Sequence, residues 1–298
     1  MLREGEGSLS IARRGRRVAV RREPVLQSRP QKEGGPHMTT PQAPKGEERP
    51  VHSIGGTAIG GAPVSYIIAW AAVLVVLSFV PMPVSAVLGI GGTFPMSQAA
   101  YALVGFVLGP TGGGLAAGIG RLIGVFTAPH TATAGLPSVL SAVAWAAAGG
   151  VLVQKRGRSW LAAWGFFLLA YVAFIGRAVT RDVDLSLGLQ TTLTNLSGLI
   201  LWLLPTRLLA RDWIASRSPA RLAAGLALGS WIVNTLGHTF GSTLSFFINP
   251  WPANVWRILI PIIPAEQLFR AIVATVIGVG VITGLRAIGL VKPEKAGY

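Results

Sequence analysis

The stretch GPTGGGLAAGIGR (Gly109–Arg121) lies between two apolar runs, each suited to a membrane helix. Whether the chain continues through it or reverses there sets the side on which every later segment emerges. Pro110 removes a backbone donor, and Gly112, Gly113 and Gly114 favour a tight reversal. Read straight through, the flanking runs 94–109 and 111–128 are too long for one ordinary span. Read as a reversal, they are two short helices.

Eight runs have the length and polarity of helices: 64–82, 94–109, 111–128, 136–153, 159–177, 191–210, 220–240 and 264–288. Hydrophobic residues make up 51% of the chain and charged residues 12%, about half the charged share of a soluble domain. A bilayer core is crossed by about 20 mostly apolar residues. The expected fold is therefore all-α, a polytopic membrane bundle of about eight helices. Six crossings plus two re-entrant pieces is the alternative.

Basic residues favour the cytoplasmic side of a membrane. With a reversal at Gly109-Pro110 and a cytoplasmic N-terminus, 21 of the 26 Lys and Arg residues fall inside. Only Arg177, Arg181 and Arg257 fall outside, and Arg121 and Arg270 lie within spans. A straight crossing would move Lys155, Arg156, Arg158, Arg286, Lys292 and Lys295 outside. The reversal is the better reading, with both termini cytoplasmic in a multi-pass cell-membrane protein.

Residues 1–62 read as a disordered basic tail, too polar to offset the entropy of ordering. Either they form a cytoplasmic segment that attracts anionic membrane lipids, or translation begins at Met38. The bundle then runs over 63–290, followed by a short cytoplasmic tail at 291–298. The net charge of +15 does not indicate nucleic acid, because the tail carries no aromatic residue among its charges. There is no cysteine, and the four histidines lack metal-ligand spacing, so neither a cofactor nor a metal is expected. No HExxH, P-loop or GxSxG pattern is present, so an enzyme is not the expected reading.

Polar groups inside spans are costly and mark candidate sites. Glu266 is the single acid within an expected span, and Arg270 lies one helical turn on, on the same face. Trp231, Asn234 and His238 share one stripe of the seventh run, suited to a small heterocyclic or polar ligand. NPWPANVWR (Asn249–Arg257) contributes Asn249, Trp251 and Trp256; its prolines argue against a regular helix, and it suits a lid over an outward-facing site. Gln98 and Tyr101 reach towards the same mouth. Small-residue motifs at Gly114/Gly118, Gly120/Gly124 and Gly280/Gly284 are expected mainly to pack helices within the bundle.

The runs VLSFVPMP (Val76–Pro83), GGTFPMSQAAYALVGFVLGPTGGGLAAGIGRLIGVF (Gly91–Phe126) and IPIIPAEQLFRAIVATVIGVGVITGL (Ile260–Leu285) resemble the substrate-binding S component of energy-coupling factor (ECF) vitamin transporters. The resemblance covers roughly 64–128 and 258–288. It implies a compact helical bundle that captures a vitamin or similar small micronutrient from outside. It also implies partners: a transmembrane coupling subunit and two cytoplasmic ATPases that power uptake. Ser65, Ala69 and Ala72 are the small residues it would turn towards the coupling subunit. Two departures stand out. The family usually has six helices, with the extra pair here falling within 159–240, and Arg121 stands where an acid is common. An integral membrane enzyme acting on a lipid-linked substrate through Glu266, His238 and Arg270 is the rival reading, and a membrane scaffold that binds only proteins is a third.

Overall fold

The structure is a computed structural model that describes residues 57–83, 93–155, 157–249, 251–288 and 291–298. The tail up to residue 56, with Met38, and also Arg156 lie outside the described residues. The described part is all-α apart from one small hairpin. Its helices are α1 (Val64–Ser78), α2 (Ser97–Thr127), α3 (Pro137–Val153), α4 (Ser159–Val179), α5 (Leu185–Thr191), α6 (Leu193–Leu203), α7 (Thr206–Ile214), α8 (Pro219–Ile248) and α9 (Ala253–Ala287). Three of them, α2, α4 and α9, are long and apolar enough to cross a membrane. The bent pair α6–α7 makes a fourth if it is taken as one span. Large apolar side chains face outwards, among them Phe126, Leu169 and Val276, each 70% or more exposed. An apolar exterior of this kind suits a lipid surround.

The chain reverses inside α2. Gly109 has φ 78° and ψ 179°, a conformation open essentially to glycine alone. The arms on either side touch: a Cβ built on Gly113 would stand 2.8 Å from the Gly105 Cα. In a straight helix those residues lie about 12 Å apart. The far ends of the arms meet too. Thr131, just beyond α2, donates to the Ser78 carbonyl (2.7 Å), and the Ser78 hydroxyl donates to Ser97 Oγ (3.3 Å) at the start of α2. Pro110 follows the break at the first position of the second arm, where its missing N–H has no helical partner to lose.

Glycines let neighbouring backbones approach closely around this elbow. Gly105 lies against Ala146 and Gly150 of α3, Gly149 against Ala102, and Gly150 against Gly109 and Pro110. On the second arm, Gly114 and Gly118 meet Val143 of α3, while Gly120 and Gly124 meet Ala71, Leu74 and Ser78 of α1. Both α2 motifs therefore pack helices internally, as small residues do where no hydrophobic drive separates helix from lipid. The third motif does not: Gly280 and Gly284 have no neighbour within 4 Å. Beyond this group, α8 is the hub, packing against α3, α4, α6, α7 and α9.

The bundle has two unlike ends. At the elbow end the Gly297 amide donates to the Phe106 carbonyl (2.8 Å) and the Glu294 amide to the Gly61 carbonyl (2.9 Å). Arg286 donates to the carbonyls of Ser216 and Ile214. Lys155, Arg207, Arg211, Arg286, Lys292 and Lys295 thus gather around one end. At the far end, Phe79, Thr93, His130 and Thr133 are joined by hydrogen bonds, and Thr191 donates to the Trp256 carbonyl.

Several expectations are corrected. Of the segment 1–62, the described residues 57–62 are structured: β1 (Ala58–Ile59) and β2 (Ala62–Pro63) form a hairpin turning on Gly60 and Gly61, both with positive φ. Residues 291–298 do not trail away but fold back against the elbow. The run 191–210 breaks at Pro205, with α7 bent 78° from α6. The last helix starts at Ala253 rather than 264, with Pro252 as its N-cap and Pro261 and Pro264 inside it. NPWPANVWR is therefore helical from Ala253 onward. Proline there starts a helix rather than preventing one, because the first turn has no amide bond to lose.

Candidate functional site

The polar groups of the interior converge towards the far end, where α2, α3, α6, α8 and α9 face one another. Glu266 and Arg270 form an ion pair of 2.9 Å on α9, both almost fully buried. Arg270 also donates to Gln98 Oε1 on α2 (2.8 Å). Its guanidinium lies 5.6 Å from the ring centroid of Trp145 on α3. The Trp145 ring meets Tyr101 edge-on at 5.7 Å, and its indole N–H donates to Asn234 Oδ1 on α8 (3.0 Å). Trp145 is thus the piece that joins four elements. It sits flat against Gly237, where a Cβ would come within 2.2 Å of the ring. One turn beyond Asn234, His238 Nδ1 pairs with Asn195 Oδ1 on α6 (3.3 Å) and approaches the Ser242 hydroxyl.

Burial leaves many of these groups short of partners. Glu266 Oε1, both polar atoms of the Gln267 amide, Arg270 Nε and Nη1, Asn195 Nδ2 and Asn234 Nδ2 are buried without a hydrogen-bond partner among the described residues. Each such atom costs about 1–3 kcal/mol unless something satisfies it. Ordinary cores pair their buried polar groups; here several on α9 (Glu266, Gln267, Arg270), with Asn195 and Asn234, are unpaired, and further ones lie at Arg121, Arg177, Ser230 and Trp256. N–H donors outnumber acceptors among them, so the set complements a small molecule rich in carbonyl, carboxylate or ring-nitrogen acceptors.

A second buried path runs beside it. Arg121 is 1% exposed and donates to Ser138 Oγ (2.7 Å) and the Thr131 carbonyl (3.4 Å), with Nη1 unpartnered. Ser97 joins this path to the Tyr101 hydroxyl (3.3 Å). No acid pairs with Arg121 among the described residues.

The sequence-derived residues divide into groups. Glu266, Arg270, Gln98, Tyr101 and Asn234 come together, and His238 follows on the same side of α8. Trp231 does not join them. Its indole N–H donates to Ser197 Oγ (3.1 Å), and its ring lines an outward apolar groove with Leu268, Ala271 and Ile272. The stripe expected on α8 therefore splits between two neighbours. Trp251 and Trp256 belong to a separate aromatic cluster with Phe174 and Phe246; Trp256 stacks on Phe174 at 5.0 Å. Trp256 lies ten residues before Glu266, about 15 Å along α9. Asn249 is exposed and ends α8. Ser65, Ala69 and Ala72 are all exposed along one line of α1, opposite the buried Ile67, Ala71 and Leu74.

Sequence reasoning passed over Trp145, Asn195 and Gln267. Asn195 and Gln267 carry a signal in hindsight, being amides within apolar runs, whereas Trp145 in an alanine-rich helix reads as packing. Comparison with protein-family models, with curated proteins and with solved structures finds no match.

Proposed function

We propose that this chain is the substrate-binding S component of an ECF-type importer, capturing a vitamin or similar small micronutrient at the far end of its bundle. The observation that carries the reading is the set of buried, partnerless polar atoms around Glu266, Arg270, Asn234, Asn195 and Gln267. Unpaired polar groups inside an apolar bundle suit capture of a polar molecule without covalent chemistry. The basic residues gathered at the elbow end support a cytoplasmic placement of that end, with both termini inside. The polar cluster then opens towards the outside. The eight runs, with α2 counted as two arms and the run 191–210 carried by α6 up to its bend at Pro205, would each cross the cell membrane. The exposed line of Ser65, Ala69 and Ala72 offers a coupling subunit a surface close enough for helix-on-helix packing. ATPases bound to that subunit would drive uptake.

In this reading Arg270 orients an acceptor or carboxylate of the nutrient, Glu266 receives a donor, and Trp145 supplies a ring face. Trp251 and Trp256 close the far end above. The test is native mass spectrometry of the full chain purified from cells in mild detergent. A small molecule should co-purify, and Glu266→Gln or Arg270→Gln should weaken its retention about tenfold, the scale of one charge-assisted hydrogen bond. Equal retention by the wild type and both variants removes the site.

A further inference from the structure

At the elbow end, well away from that cluster, a cleft of about 90 Å³ opens between α3, α4 and α7. Lys155, Arg207 and Arg211 line it, with Gln154, Ser159 and Trp160. Arg207 is 9% exposed; among the described residues no hydrogen bond or ion pair holds its guanidinium, which lies 4.4 Å from the centroid of the Trp160 ring. Its nitrogens are not among the fully enclosed polar atoms, so the guanidinium faces into the cleft with donors free for a ligand. Among the described residues no acid lines the cleft. Asp212, next to Arg211 in sequence, is 63% exposed and pairs with it (2.8 Å).

Two further features add to the positive field. The cleft lies at the N-terminus of α4, where the Leu161 amide is taken by the Arg158 carbonyl (2.9 Å) but those of Ser159 and Trp160 have no backbone acceptor among the described residues; the first turn carries no acidic residue. Lys292, on the C-terminal segment, is held below the ordinary lysine pKa, first by burial and then by the charges of Lys155 and Arg286. Three cations, a helix N-terminus and a volume suited to one tetrahedral oxyanion define the chemistry of the missing counter-charge.

We propose that this cleft binds a phosphate group, with Arg207 as its central ligand and Lys155 and Arg211 at its rim. The surroundings favour a phospholipid headgroup as the carrier. Leu208, which lines the cleft, and Leu161, next to its Trp160, are both 40% or more exposed, where acyl chains would lie. α7 itself is amphipathic, with Arg207, Ala210 and Ile214 inwards and Leu208 and Leu209 outwards, as in helices that lie along a membrane surface. A lipid bound here would brace α7 against α4. The site owes nothing to the nutrient-binding reading, and either can fail alone.

The test uses the full chain in detergent, with native mass spectrometry and thermal unfolding as readouts. Four probes are compared: phosphatidylglycerol, phosphatidylcholine, diacylglycerol and inorganic phosphate. Phosphatidylglycerol should bind and raise the midpoint, and diacylglycerol should not. Arg207→Gln should weaken phosphatidylglycerol binding about tenfold, and Lys155→Gln about threefold, as charge-assisted contacts do. Lys155 is exposed, so its replacement reports on binding even if Arg207→Gln folds poorly. Binding of inorganic phosphate with the same dependence on Lys155, and no binding of any of the three lipids, supports the phosphate site and assigns it to the free ion. Equal binding of phosphatidylglycerol and diacylglycerol, or unchanged affinity in Lys155→Gln and Arg207→Gln, overturns the proposal.

Discussion

Gly109→Ala tests the reversal on which the fold rests, and the two readings of that stretch predict opposite signs. In the structure Gly109 occupies φ 78°, ψ 179°. A residue with a Cβ held there costs about 1–3 kcal/mol in backbone strain. The added methyl would also stand 2.8 Å from Lys295 Cβ and 3.3 Å from its carbonyl oxygen. The C-terminal segment can move aside, but it is fixed by the Gly297–Phe106 and Glu294–Gly61 hydrogen bonds, each worth about 1 kcal/mol. The expected loss is therefore about 3 kcal/mol. In a continuous helix the same substitution would stabilise by about 0.5–1 kcal/mol. Gly165→Ala provides the control, since Gly165 is helical and has nothing within 4 Å of its Cβ position.

Reversible unfolding in mixed micelles, followed by the fluorescence of the nine tryptophans, measures both variants. Gly109→Ala should unfold well before wild type, and Gly165→Ala at or slightly beyond it. Adding Lys295→Gly to Gly109→Ala removes the Cβ clash but not the torsional strain, so only part of the loss should return. If Gly109→Ala matches or exceeds Gly165→Ala in stability, the chain does not reverse there.

Three other outcomes are expected. Gly237→Ala drives a methyl into the Trp145 ring and should destabilise by about 1–3 kcal/mol, the range for overpacking, in the same unfolding assay. On the proposed importer reading, Ala69→Leu, on the exposed line of α1, should leave ligand binding intact and reduce uptake in cells supplying the partner subunits; normal uptake would count against that face as the proposed partner interface. The chain has no cysteine, so Lys155→Cys and Lys292→Cys should resist a membrane-impermeant maleimide in intact cells while Asn249→Cys reacts, and the reverse pattern would invert the topology.

How far the sequence foretold this arrangement depends on how local the cause is. The reversal was legible because its cause is local: a proline and a glycine cluster break a helix wherever they occur, and the basic residues downstream agree. Glu266 with Arg270 was legible because one turn of helix settles their proximity. Trp231, Asn234 and His238 show the limit. Period 3.6 places them on one side of α8, but α8 is surrounded, so adjacent positions meet different helices. Trp231 turns to Ser197 and the groove beside α9, Asn234 to Trp145, and His238 to Asn195. Trp145 was missed because its importance lies in what α2, α8 and α9 bring to it. The start of α9 was misjudged because proline was read as a breaker, although Pro252 is its N-cap.

The two ends of the molecule are held together by different physics, and that difference bears on which of them can move. Around Gly109, glycines of α2 and α3 bring backbones into direct contact, and such packing has few alternative arrangements. At the far end the helices are joined by side chains, and several of their polar atoms lack a protein partner. Separating glycine-packed backbones forfeits dense dispersion contact. Separating half-satisfied polar groups forfeits less, because a bound molecule or water can recover what is lost. Opening is therefore cheaper at the end where Glu266 and Arg270 lie. A bundle that is rigid at its elbow and underpaired at its mouth can admit a small polar molecule without unpacking its core, and the molecule that completes the hydrogen bonds would itself close the mouth.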